Sequence, residues 1–381
     1  MTKHRAIIEP GLIWRLAMLS VLLGLSSPWV NADEMTVRTD LKSESARLLE
    51  QRDMAAYGQR AADLRRTREL TPAGIWKLSL FYKGPDNWPA AQPEAPIWTQ
   101  IEAAAEAYLR EHPDSPSAIV ACARLLVSHA WTYRGSGWGR DLSDAQRNGF
   151  DTFLERARAV LDQHRDVGSS DPEWYSLRLQ VMNGQGVDKA TILALAREAL
   201  DREPTYQPID YVAANALLPK WGGSAQQLQQ FVALAIAKSS AAEGTQAYAR
   251  IMFNIARADP EPIAALAQVG VQWPVLQASL HEIAVAYPDP WNLNAERAMA
   301  CLVGTQTDYN AVLPRVSAGF ISVAWFDSLR SWPECQRRQE RAQQSTAASW
   351  AQAFISTAPS ADFVAAVLGG ALAALAALYF T

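Results

Sequence analysis

Leu228, Phe231, Val232, Ala235 and Ile236 stand at i, i+3, i+4, i+7 and i+8, the spacing that lays an apolar stripe along one face of an α-helix. Ile101, Ala104, Ala105 and Tyr108 repeat it, as do Ile192, Leu195, Ala196 and Ala199, and no stretch alternates with a period of two. Alanine, the strongest helix former, supplies 66 of 381 residues. The chain is therefore expected to be all-α. Helix ends are marked as clearly as helix faces. Ser143 with Gln146 and Ser224 with Gln227 have capping-box spacing, the first opening the apolar face Phe150, Phe153, Leu154, Ala157 and Leu161. Thr71-Pro72, Asp171-Pro172 and Asp289-Pro290 each pair a cap residue with proline at the first helical position, where its missing N–H costs nothing. Asn183-Gly184 reads as a stop.

Three junctions resemble one another: residues 109–116, 201–208 and 284–290, each closing one helix and opening the next around Pro113, Pro204 and Pro288. These prolines lie 91 and 84 residues apart, neither a multiple of the 34-residue tetratricopeptide period. The expected architecture is a degenerate tetratricopeptide-like helical-hairpin array, an α-solenoid, in which alanine-rich inner helices pack closely.

Both ends are hydrophobic. Lys3, Arg5 and Arg15 flank an apolar run at residues 16–25, followed by the small-residue pattern Val30-Asn31-Ala32, so residues 1–32 read as a secretory signal peptide. The remainder divides into an N-terminal helical segment at 33–82 and a Pro-rich connection at 83–96, holding Pro85, Pro89, Pro93 and Pro96. A helical-repeat body at 97–333, a polar stalk at 334–362 and a hydrophobic segment at 363–380 complete it. The last has 18 uncharged residues, about 27 Å as a helix, and is expected to be a transmembrane helix tethering an exported, periplasmic or envelope protein. Its Ala365-xxx-Gly369 and Gly370-xxx-Ala374 spacings suit self-association. The Arg-rich stretch at 47–68 carries Glu50, Asp53 and Asp63 among its arginines and reads as a solvated helix face.

Formal charge is -4 for the whole chain and -6 once residues 1–32 are removed, so a nucleic-acid partner is not expected. Cys122 sits in an apolar run and reads as a core residue, while Cys301 and Cys335 are free to pair. Cys122 and His129 share a helix face, which is half a metal site at most. There is no HExxH, zinc-spaced cysteine pair, GxSxG elbow or P-loop, so no catalytic residue, metal or cofactor is assigned. The densest unusual segment is residues 131–141. Trp131, Tyr133, Arg134, Trp138 and Arg140 surround a Gly-x-Gly-x-Gly that follows a helix, where a dinucleotide fingerprint would follow a strand. Its indoles and guanidinia suit stacking and bidentate hydrogen bonding to a sugar or peptide. Trp221 beside Gly222-Gly223 repeats the theme.

Residues 71–78 (TPAGIWKL), 134–138 (RGSGW) and 217–224 (LLPKWGGS) together resemble a bacterial family of unknown function. That family comprises exported or lipid-anchored, tetratricopeptide-like helical proteins. The resemblance covers roughly residues 71–237 and implies no activity; a lipoprotein-type cysteine is missing here. The expectation is a membrane-tethered helical-repeat protein that binds a protein or peptide partner, with Trp131, Tyr133, Arg134, Trp138, Arg140 and Trp221 as contact residues. The alternative is an envelope enzyme or carbohydrate-binding protein using residues 131–141.

Overall fold

The computed structural model describes residues 33–87, 92–135, 141–316, 321–325, 333–337, 339–341 and 344. Helices α1 (Glu34–Glu50), α2 (Met54–Thr67) and α3 (Lys77–Phe81) lead through a 3-10 turn (Gly84–Asn87) into α4 (Pro96–Glu111), α5 (Pro116–Arg134) and α6 (Asp144–Gln163). Then come α7 (Arg165–Gly168), α8 (Pro172–Gly184), α9 (Lys189–Arg202), α10 (Gln207–Ala216) and α11 (Ala225–Glu243). The chain continues with α12 (Gln246–Arg257), α13 (Pro262–Gln268), α14 (Trp273–Ala286), α15 (Pro290–Val303) and α16 (Gln306–Val312). The described residues contain no strand, only one isolated bridge between Leu70 and Trp76. The fold is an all-α array of helix hairpins. α5, α8, α10 and α12 pack in succession as an inner layer, and α6, α9 and α11 back them from outside. Buried alanines let these backbones approach: Ala118, Ala121, Ala123 and Ala130 on α5, and Ala213, Ala214 and Ala216 on α10.

Helix starts follow local chemistry. Ser143 caps α6 with a complete box, Asp171 accepts from the Glu173 N–H to open α8, and Asp289 does the same for Trp291 at α15. Ser224 departs from the expectation. Its hydroxyl accepts from the Gln227 N–H at 3.2 Å, but the Gln227 side-chain oxygen accepts from that hydroxyl and the reciprocal bond is missing. Thr71-Pro72 opens no helix. Gly74 adopts φ +78°, and the chain folds back so that Thr71 N–H donates to the Ile75 carbonyl at 2.7 Å, delaying α3 until Lys77.

The N-terminal segment lies across the inner layer and is fastened to it along its length. Arg65 pairs with Asp171 at 2.6 Å and donates to Ser117 at 2.9 Å, while the Tyr82 hydroxyl donates to Asp171 at 2.7 Å. Burial pushes the Asp171 carboxyl up, with Arg65 and Tyr82 opposing it. Beside them, Arg124 pairs with Glu173, which also accepts from the Tyr206 hydroxyl at 2.6 Å. The solvated-face expectation for residues 47–68 therefore fails at Arg65, although Arg47, Arg52, Arg66 and Arg68 are exposed. Further along, Gln207 donates to the Gly74 carbonyl and accepts from Trp76 N–H, and both Arg250 and Asn292 donate to the Ala73 carbonyl. Ala73 N–H donates to Glu34 at 2.8 Å. One turn thus meets α1, α10, α12 and α15.

The transmembrane-helix expectation is corrected. Among the described residues no helix is long and apolar enough to cross a membrane. The most extensively buried long helix, α5, keeps Arg124, His129 and Arg134, and its apolar surface is covered by protein. Residues 1–32 and 363–380 lie outside the described residues. Cys301 and Cys335 form a disulfide, and Cys122 is a buried free thiol whose pKa burial pushes up to about 12.

Candidate functional site

Trp131, Arg134 and Trp221, singled out in segments ninety residues apart, come together. The two indoles meet edge to face with centroids 6.4 Å apart, and the Arg134 guanidinium lies 5.9 Å from each ring centroid. The edge of Phe150 closes the back of Trp131. Tyr133 points elsewhere: it stacks with His129 and Phe153 and fills the space that a side chain on Gly149 would need. His129 bridges the Glu102 carboxylate at 2.5 Å and the Pro93 carbonyl at 2.6 Å, beneath Trp98. The Cys122 and His129 positions are thus packed core. Trp138 and Arg140 lie outside the described residues. Among the described residues no three His, Cys, Asp or Glu side chains are placed to hold a metal.

A more distinctive site lies where the N-terminal segment crosses the inner layer. A cavity of about 200 Å³ opens between α1, α3, α10, α12, α14 and α15. Its charged lining is cationic: Arg38 and Lys42 from α1, Lys83 after α3, and Arg250 and Arg257 from α12. Among the described residues no carboxylate lines it. Apolar walls come from Ile75, Leu280, Ile283, Phe253 and Trp291.

Each cation has its own circumstances. Arg38 is paired with buried Glu34 at 2.6 Å, and its guanidinium lies 4.2 Å over the Trp291 ring. Arg250 is 6% exposed; one of its terminal nitrogens reaches Ala73 at 3.4 Å and its Nε has no hydrogen-bond partner among the described residues. Buried Asp210 and Glu243 act on Arg250 electrostatically, but burial drives both toward their neutral forms. Arg257 is wet at the mouth though hemmed in by protein, and donates to the Val323 carbonyl at 2.7 Å. Burial and the nearby Arg38 lower its pKa. Lys42 and Lys83 have no ion-pair partner among the described residues. Burial depresses both, taking Lys83 to about 8. Asp86 opposes that shift, while Arg124, Lys42 and Arg38 add to it at Lys83. The positive charges repel one another in a partly dehydrated space, the condition that an arriving anion relieves.

This cavity has no local signature in the sequence. Its cations come from three separate stretches, and the usable signals were faint ones: Arg38 and Lys42 one turn apart, and Arg250, Asn254 and Arg257 on one face of an otherwise well-packed helix.

No family model, curated protein or solved structure matches the chain. The class is set by the structure alone: an all-helical repeat scaffold of the solenoid kind, with a cationic cavity on its inner side.

Proposed function

We propose that this chain is a non-catalytic binding protein whose inner cavity receives an anionic group of a protein or peptide partner. The observation that carries this reading is five cations lining one cavity with no lining carboxylate among the described residues. Isolated charges are costly to hold away from water unless they are paired, and among the described residues only Arg38 of these five has an ion-pair partner. The solenoid architecture adds an extended surface of the kind that such scaffolds offer to partners. The Trp131, Arg134 and Trp221 cluster is a second, aromatic contact on the same protein. Support for export comes from the leader-like residues 1–32 and from the Cys301–Cys335 disulfide, a bond that persists in oxidising compartments.

A fluorescein-labelled peptide rich in Glu, titrated with the full chain and compared with its Gln counterpart by anisotropy, tests the reading. The Glu peptide is expected to bind with salt-dependent affinity, and Lys42→Gln with Arg257→Gln to weaken it at least tenfold. Equal binding of the two peptides, or of neither, refutes it.

A further inference from the structure

The cavity's charge and shape select among anions. With Glu34 spent on Arg38, Lys42, Lys83, Arg250 and Arg257 remain, a surplus that one carboxylate would leave largely uncompensated. A phosphoryl group brings a charge of about -1.5 to -2 and three strong acceptor oxygens. Guanidinia bind it through paired N–H groups, and lysines as mobile point charges. The donors available fit that demand: among the described residues Arg250 Nε lacks a hydrogen-bond partner and neither lysine has an ion-pair partner. Among the charges, Phe253, Leu280 and Ile283, with Trp291 beneath Arg38, supply an apolar lining that phosphate alone would leave bare. The volume, about 200 Å³, exceeds the roughly 150 Å³ that accommodates benzene, leaving room for a small ring and its charged substituent.

We propose that the cavity binds a phosphomonoester dianion carried on a small apolar or aromatic body. This rests on the anion-site half of the reading above and puts a phosphoryl group on a smaller carrier in place of the peptide carboxylate, so failure of the Glu peptide alone leaves it standing. The phosphomonoester is either a soluble small molecule or a lipid headgroup, and the experiment separates the two.

Phenyl phosphate, inorganic phosphate and benzoate are titrated calorimetrically into the full chain at low salt, across pH 5 to 9. Phenyl phosphate is expected to bind at least tenfold more tightly than either of the others. Its affinity should rise through about pH 6 as the dianion forms, and fall above about 8 as Lys83 loses its proton. The charged groups acting on Lys83 are Asp86, Arg124, Lys42 and Arg38. Benzoate should show only the falling limb. In Lys83→Gln, with folding verified by its melting curve, the alkaline limb should flatten and phenyl phosphate affinity drop about tenfold. Vesicles of phosphatidylcholine with and without phosphatidic acid form the second arm: cosedimentation that needs phosphatidic acid and is competed by phenyl phosphate assigns a lipid headgroup, and binding of phenyl phosphate without cosedimentation assigns a soluble ligand. Benzoate binding as tightly as phenyl phosphate overturns the phosphomonoester. If the Glu peptide binds and no phosphate ester does, the ligand class fails while the anion site stands; if nothing anionic binds, both fail.

Discussion

Replacing Arg65 with Met tests how the N-terminal segment is held, because the guanidinium reaches Asp171 and Ser117 at once from a side chain only 22% exposed. Breaking a buried ion pair by removing one partner costs about 3–5 kcal/mol, and here Asp171 is fully enclosed, keeping the Tyr82 hydroxyl and the Glu173 N–H as its donors among the described residues. The stranded carboxylate has an escape: it can take up a proton. Burial already raises the Asp171 pKa in the intact protein, and losing Arg65 removes the main opposing influence. The sign follows from proton uptake. Where the folded-state pKa lies above the unfolded value, the native state binds more protons, so stability is greatest below the unfolded pKa and declines as pH climbs through the raised one. Arg65→Met should therefore lose about 3–5 kcal/mol at pH 8 and recover a substantial part of it near pH 5. Urea unfolding monitored by tryptophan fluorescence at the two pH values, for Arg65→Met, Asp171→Asn and the double variant, measures this. A loss in Arg65→Met that is the same at pH 5 and pH 8, or single losses that add in the double variant, would refute the reasoning.

Three further outcomes are expected. Gly74→Ala places a methyl 2.5 Å from the Tyr287 ring and 2.8 Å from Arg250 at a backbone φ of +78°, so thermal melting should reveal a loss of about 2–4 kcal/mol; a neutral result would mean that the turn relaxes freely. Without ligand, stability should rise between pH 8 and 10.5, because Lys83 is already neutral in the folded protein while its unfolded counterpart still carries a proton. That rise should be smaller in Lys83→Met, measured by denaturant midpoint. Replacing Cys301 and Cys335 with Ser opens a loop of 34 residues' separation, a loss of about 3–4 kcal/mol by chain entropy, which hydrogen exchange should localise to α15 and the segments packed on it.

Much of the scaffold was legible because its determinants are local. The period of Leu228 to Ile236, the box at Ser143 and the proline starts at Asp171 and Asp289 are written within a few residues of the helices they shape. Thr71-Pro72 misled because Gly74, three residues on, takes the left-handed conformation and turns the chain before a helix can form. The aromatic residues were picked out one by one, but their arrangement was not legible: Trp131, Arg134 and Trp221 meet across segments read as separate loops, whereas Tyr133, two residues from Trp131, faces His129 and Phe153. The cavity was not legible. Lys42 and Arg257 are 215 positions apart, and each reads alone as an ordinary surface cation. Arg65 was hidden for the same reason, since its partner Asp171 lies 106 residues away.

An open solenoid is mechanically a stack: each repeat leans on the next, and either end can fray without the other noticing. The turn at residues 71–76 changes that, because the Ala73 carbonyl is gripped by Arg250 and by Asn292, 219 positions away, while its N–H answers Glu34. The first helices thus serve as a tie-rod across a stack that would otherwise end freely on both sides. Such a chain should unfold as one unit, and it must wait for α12 and α15 before its opening helices are secured, a contact order that slows folding. The cavity inherits this delay: its charges meet only when the two ends of the array are in place.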